Sequence, residues 1–425
     1  MAYCVIPPYI LRKIIAHSSG HQQEQARRTL THVQHLMAEH WQKPTGVKTA
    51  AGGHVDREIY DAQNQETLPG KLIRQEGQPG NDDVAAEEAW DYLGVTYDFF
   101  WQAYQRNSLD GQGLKLLGTV HYGEKYQNAF WNGQQMVFGD GDGEIFNRFT
   151  IAIDVVAHEL AHGVTENEAG LIYFEQAGAL NESLSDVFGS LVKQFSKKQR
   201  ADEADWIIGE GLLAKGINGR GLRSMSEPGT AYDDPLLGKD PQPAHMDHYV
   251  KTREDNGGVH INSGIPNRAF YLAATALGGH AWEQAGYAWY DTVCDDELPQ
   301  DADFKTFARF TVQHGKKRFN ESVSSAIEQA WKEVGVLWVT CPNSPMTPPS
   351  ALRVKAAWPL FPGYAPNDAL CWAICRRQKE SASAMRCSRR CRWANPRRMP
   401  HRWAVVTSVI SASRFNMQRT ARSGR

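Results

Sequence analysis

Two histidines four residues apart, with a glutamate beside the first, stand in Val155-Val156-Ala157-His158-Glu159-Leu160-Ala161-His162. On a helix that spacing puts both imidazoles on one face about 6 Å apart, close enough to share one tetrahedral cation. Glu159 then lies beside the cation without binding it, where it can take a proton from an activated water. Taken alone, the five-residue pattern also fits ordinary histidines on an amphipathic helix. A third candidate ligand narrows the choice. In Gly178-Ala179-Leu180-Asn181-Glu182-Ser183-Leu184-Ser185-Asp186-Val187-Phe188-Gly189, Glu182 falls among apolar helical positions, a costly place for an unpaired carboxylate. Two imidazoles, one carboxylate and an open fourth position make a catalytic zinc site. Asn181 and Asp186 are placed to accept hydrogen bonds from the ring N–H groups of the histidines.

The stretch from His158 to Gly189 resembles the zinc motif of thermolysin-like peptidases, whose third ligand is a glutamate one helix further on. Three more blocks are similar to that family. Asn128-Ala129-Phe130-Trp131-Asn132-Gly133 resembles its substrate-lining edge strand, and Gly221-Leu222-Arg223-Ser224-Met225 the segment with its substrate-binding arginine. Asp255-Asn256-Gly257-Gly258-Val259-His260-Ile261-Asn262-Ser263-Gly264 resembles the block with its transition-state histidine. The likeness covers about residues 54–336.

The resemblance implies one Zn2+ held by His158, His162 and Glu182, with Glu159 as general base. It implies that Tyr173 and His260 donate to the oxyanion and that Asp255 orients His260. Arg223 would hold a substrate carbonyl, and Asn128 with the Ala129 backbone would pair with an extended peptide. The pocket for the residue after the cut bond maps onto Phe146, Phe149, Val155, Ile208 and Leu222, so cleavage before Leu, Ile, Val or Phe is expected. The family's double-calcium site maps onto Asp154, Asp205 and Glu210, with Lys193 and Ile207 where two carboxylates are expected. Fewer calcium ions than in the family pattern are expected, down to none, the Lys193 ammonium neutralising the remaining acids.

The start of the chain resembles the short propeptide of the protealysin branch, through Pro7-Pro8-Tyr9-Ile10-Leu11. A thiolate is a good zinc ligand. Cys4 beside this block is therefore expected to approach the metal and keep the enzyme latent, an incidental thiol being the alternative. Self-cleavage is expected near residues 48–52, in a linker that includes Ala50-Ala51-Gly52-Gly53.

Hydropathy outlines the elements that must position these groups. Residues 8–42 read as helical, broken at Ser18-Ser19-Gly20. Between about 54 and 150 short alternating strands prevail, Val55–Tyr60 and Leu117–Tyr122 among them. One helix from Val84 to Gln105 interrupts them, with Trp90, Leu93, Tyr97 and Trp101 on its apolar face. Helical patterns then fill 151–165, 178–197, 263–278, 304–315 and 323–334. The expected class is α+β: a propeptide (1–50), a β-rich lobe (51–150), a helical lobe with the zinc site (151–337), and a tail (338–425).

The net charge of −2 conceals two opposed regions. Residues 341–425 carry +14 and five of the seven cysteines, whereas the first 340 residues carry −16. The tail reads as a disordered appendage or the product of a shifted reading frame after about residue 340. A body that acidic argues against a nucleic-acid partner, although Arg389-Arg390-Cys391-Arg392-Trp393 is basic. Lacking a long apolar run, the sequence predicts no membrane span. Met1–Pro8 lacks a basic, then apolar leader, so export by a signal-less route is expected, with retention in the cytoplasm as the alternative. A monomer acting on proteins or peptides, with its own propeptide as inhibitor, is the expected form. An inactive peptide-binding relative would have lost Glu159, a ligand or His260, and all are present. Asn128 and Arg223 argue against a zinc hydrolase of non-peptide substrates.

Overall fold

The computed structural model describes residues 3–38 and 52–337. The chain opens with strand β1 (Tyr3–Cys4), helix α1 (Pro8–His17) and helix α2 (Gly20–Ala38). Pro8 suits the first turn of α1, where its missing N–H would have had no helical partner. The expected break falls at Ser18, whose N–H and hydroxyl both donate to the Ile14 carbonyl. The cleavage segment is outside the described residues apart from Gly52, and so is the tail from residue 338.

Then follow β2 (Arg57–Asp61), β3 (Lys71–Gln75), α3 (Val84–Tyr104), β4 (Leu116–Val120), β5 (Ala129–Trp131) and β6 (Met136–Phe138). Six strands form one mixed sheet in the order β1-β5-β6-β4-β2-β3. β2, β4 and β6 run parallel, and the remaining pairings are antiparallel. α3 packs on β2 and β4, burying Trp90, Leu93 and Tyr97 and covering Trp101 in part. Asp83 caps it by accepting the Ala85 and Ala86 N–H groups. The free edge of β5 is taken by β1: Tyr3 pairs with Trp131 and Cys4 with Phe130.

Past residue 150 the fold becomes helical: α4 (Ile153–Asn167), α5 (Glu175–Lys197), α6 (Asp255–Asn262), α7 (Gly264–Leu277), α8 (Ala285–Val293), α9 (Phe304–Arg318) and α10 (Glu321–Glu333). Two-residue strands β7 (Ile207–Ile208), β8 (Arg223–Ser224), β9 (Asp233–Asp234) and β10 (Gly238–Lys239) link α5 to α6. α6 and α8 were not outlined by hydropathy. α6 is no regular helix, because Asn256, Gly257 and Gly258 take positive φ of 49°, 85° and 82°. A Cβ on Gly257 would meet the Glu175 side chain at 2.7 Å, so the loop before His260 can lie against α5 only with glycine there.

α4 and α5 are buried on nearly every face and form the core of the helical half. Their contact depends on Gly189, where a Cβ would stand 2.5 Å from the Asp154 carbonyl oxygen. That approach brings the polar residues of α4 and α5 face to face. Among the described residues no helix is long and apolar enough to cross a membrane.

Candidate metal centre and active site

His158 and His162, one turn apart on α4, turn Nε2 toward each other at 3.1 Å. Glu182 on α5 comes to 3.5 Å from each, Oε2 to His158 and Oε1 to His162. Zinc–ligand bonds of about 2.0–2.2 Å in a tetrahedron set ligand atoms roughly 3.3 Å apart, and this triangle matches that spacing. All three side chains are at most 1 % exposed.

The other ring nitrogens are committed. His158 Nδ1 lies 2.8 Å from Asp186 Oδ1, and His162 Nδ1 lies 2.7 Å from Asn181 Oδ1 and 3.0 Å from the Ser185 hydroxyl. Carboxylate and amide oxygens only accept, so both Nδ1 atoms carry protons and both Nε2 atoms face inward as lone pairs. Burial drives His162 down to about 3, while Asp186 and Glu182 lift His158 to about 9 against burial. Glu182 is held well below the usual carboxylate range, His260 and His162 outweighing burial, and its Oε2 has no hydrogen bond. Two inward lone pairs and a buried anionic oxygen fit a dication, so His158, His162 and Glu182 could hold Zn2+.

An oxygen of Glu159 also lies within 4.8 Å of both imidazoles. Its Oε2 accepts the Trp131 N–H at 3.0 Å, whereas Oε1 is buried without a partner. Burial, joined by Glu182, pushes this carboxyl up to about 8. A buried carboxylate oxygen without a hydrogen-bond partner therefore borders the triangle.

His260 approaches from the loop of α6. Asp255 accepts both its backbone N–H, at 2.9 Å, and its Nδ1, at 2.6 Å. Against burial, Asp255 and Glu182 raise the imidazole to about 9. Its Nε2 is 3.3 Å from the Tyr173 hydroxyl and 3.5 Å from Glu182 Oε2, and Tyr173 donates to Glu182 Oε1. Tyr173, His260 and Glu182 are thus brought together.

Arg223 grips Asp186 in a two-pronged ion pair at 2.7 and 2.8 Å, and Asn267 Nδ2 donates to Asp186 Oδ2 at 2.8 Å. Burial alone would raise Asp186, yet Arg223 and His158 hold it near 2. Here Arg223 orients the carboxylate behind His158, a link its spacing did not foretell. Phe146, Phe149, Val155, Ile208 and Leu222 are all buried in the apolar core.

The N-terminal segment occupies the cleft. Val5 N–H donates to the Ala129 carbonyl at 3.1 Å. Asn128 accepts the Ile6 N–H at 2.8 Å and donates to the Ile6 carbonyl at 3.1 Å. Pro7 and Pro8 then lead into α1. Cys4, expected to approach the metal, lies buried in this segment. Burial, with Glu159 and Glu182 nearby, pushes the thiol well above its usual pKa, and the Cys4 carbonyl is what meets His260 Nε2, at 3.3 Å.

Lys193 Nζ sits among Asp205 Oδ1 at 2.9 Å, Asp154 Oδ2 at 3.1 Å, the Ile207 carbonyl at 2.9 Å and Glu210 Oε2 at 3.6 Å. An ammonium stands at the centre of the acids that were mapped to calcium.

Sequence reasoning missed Tyr3, Ser185 and Asn267. Ser185 was findable, four residues after Asn181 on the same helix face. Tyr3 and Asn267 reach the site only through tertiary packing.

A sheet-rich N-terminal half, a helical C-terminal half and a buried His–Glu–His group on α4 define a zinc metalloendopeptidase. The chain belongs to the thermolysin metallopeptidase family: residues 23–166 match the catalytic domain of that family and residues 169–336 its alpha-helical domain. An extracellular metalloprotease of Pectobacterium carotovorum subsp. carotovorum is 68% identical over 332 residues, covering 78% of this chain and 96% of that protein. Protease PrtS of Photorhabdus sp. (strain Az29) is 54% identical over 339 residues, covering 78% and 91%. The precursor of protealysin from Serratia proteamaculans superposes with a TM-score of 0.74 at 71% identity, over 79% of this chain and all of that one. This places the chain in the protealysin branch.

Proposed function

We propose that this metalloendopeptidase cuts peptide bonds before bulky apolar residues, with His158, His162 and Glu182 as zinc ligands and Glu159 as general base. Zinc, when bound, supplies Lewis acidity for the substrate carbonyl and acidifies water. Glu159 takes the proton of the attacking water at Oε1 and passes it to the leaving nitrogen. His260, held by Asp255, and the Tyr173 hydroxyl donate to the oxyanion. Asn128 and Ala129 align the peptide backbone, and Arg223 fixes Asp186 and through it His158. Phe146, Phe149, Val155, Ile208 and Leu222 provide the apolar surface for the residue after the cut.

The observation that carries this reading is the triangle of His158, His162 and Glu182 beside the unpartnered Glu159 Oε1. Residues 1–50 act as an intramolecular inhibitor that the enzyme removes by cutting near residues 48–52. Relatives named extracellular support action outside the cell. Casein hydrolysis with and without 1,10-phenanthroline, in wild type and Glu159→Ala, tests the mechanism. Loss of activity in either arm is expected; chelator-insensitive cleavage surviving the substitution would sink it.

A further inference from the structure

Tyr3–Cys4 pairs with β5, the Val5 N–H reaches the Ala129 carbonyl and Asn128 holds Ile6, and these contacts fix where each residue stands relative to the reacting groups. The Cys4 carbonyl points at His260 Nε2, which neighbours both the Tyr173 hydroxyl and Glu182. Cys4 thus supplies the acyl position and Val5 the leaving nitrogen, whose N–H is held by the Ala129 carbonyl. Val5 and Ile6, both apolar and β-branched, follow the bond.

Tyr3 precedes Cys4 and is 4 % exposed. Its ring lies flat on His162, with centroids 4.1 Å apart and planes 8° from parallel. The ring of Tyr173 closes the other side edge-on at 4.9 Å and 79°. The Tyr3 hydroxyl faces Asn181, whose buried Nδ2 makes no full hydrogen bond of its own. A flat aromatic slot with a polar floor has the size and chemistry of a phenol.

We propose that Tyr3–Ile6 lies in the cleft in the register of a substrate, and that His162, Tyr173 and Asn181 form a subsite for a tyrosine on the second residue before the cut bond. This rests on the functional reading above. In a free peptide bound this way, the oxygen of water bonds to the cysteine carbonyl carbon and the carbon–nitrogen bond breaks. The valine nitrogen leaves with the proton relayed by Glu159. The tyrosine contacts lie one residue away from the reacting bond and act on selection.

The test uses full-length protein, loaded with zinc and incubated until casein hydrolysis is steady. It is then given a peptide containing Ala-Tyr-Cys-Val-Ile-Pro and two variants with Phe or Ala in place of Tyr, products being read by mass spectrometry. Cleavage between Cys and Val is expected. Loss of the hydroxyl lowers kcat/KM about threefold to tenfold, and loss of the ring lowers it roughly tenfold to a hundredfold. Cleavage at another bond, equal rates for the three peptides, or no cleavage while casein is digested would overturn the subsite. Failure on casein as well would instead bring down the functional reading beneath it.

Discussion

Asn128 binds both backbone polar groups of Ile6, accepting its N–H at 2.8 Å and donating to its carbonyl at 3.1 Å. A side-chain amide used this way extends the β5 edge by one more strand partner, a means of gripping any extended peptide regardless of side chain. Asn128→Ala removes both bonds at a buried position, at a cost of about 1–3 kcal/mol. Peptide kcat/KM should fall about tenfold to a hundredfold, mostly through KM. The same loss weakens the hold on the N-terminal segment, so the full-length chain should show a shorter lag before casein hydrolysis. A longer lag with unchanged kcat/KM would contradict the shared use of Asn128.

Glu159→Gln preserves the side-chain shape and an oxygen that can accept the Trp131 N–H. It cannot take a proton at neutral pH. The variant should fold, bind one zinc per chain and lose roughly 100- to 10,000-fold in kcat. His162→Ala should instead lose stoichiometric zinc. Elemental analysis beside a casein assay separates the two outcomes; a Glu159→Gln protein without zinc would mean that Glu159 is a ligand.

Lys193 is 5 % exposed and is the cation set among Asp154, Asp205 and Glu210. Asp154 is itself buried, and burial already pushes its carboxyl upward despite the ammonium. Lys193→Met removes the charge but keeps most of the volume, leaving Asp154 uncompensated. Stability should drop by about 3–5 kcal/mol. Adding Asp154→Asn to it should recover part of that loss, because the orphaned charge goes too. A double-mutant cycle on thermal unfolding would show it, and additive losses would count against the pairing.

What could be read in the sequence follows from how local each constraint is. His158, Glu159 and His162 share one helix, so their spacing already encoded their geometry. Glu182 and Asp186 lie one helix on, and their polarity amid Leu180, Leu184, Val187 and Phe188 marked them. The major helices were visible for the same reason, α4 and α5 being long and strongly patterned. Two-residue strands such as β7 and β8 carry no period, and α6 owes its shape to four successive residues of positive φ, Asp255 to Gly258. Arg223 was expected to hold a substrate carbonyl; its ion pair with Asp186 is a further contact that depends on how β8 meets α5. Tyr3 stacks on a residue 159 positions away in the chain, a contact that no pattern of spacing announces.

His121 offers a test of the fold away from the metal. Its Nε2 meets Asp83 Oδ2 at 2.7 Å and its Nδ1 meets Asp140 Oδ2 at 2.9 Å, so it ties the cap of α3 to the loop after β6. Asp140 lifts the imidazole, burial opposes, and Asp83 adds to the rise, to about 9. A folded-state pKa above the usual 6.5 stabilises the fold fully below pH 6.5 and ceases to do so as pH rises through about 9. The side chain is 26 % exposed, so solvent screening reduces the effect to about 1 kcal/mol. Its backbone takes φ 54°, which asparagine tolerates better than most residues, so His121→Asn removes the charge with little added strain. Wild type should therefore be the more stable protein at pH 6, and the gap should close by pH 9.5. Unfolding measured across that range would show two converging curves; parallel curves would mean that the imidazole carries no charge in this bridge.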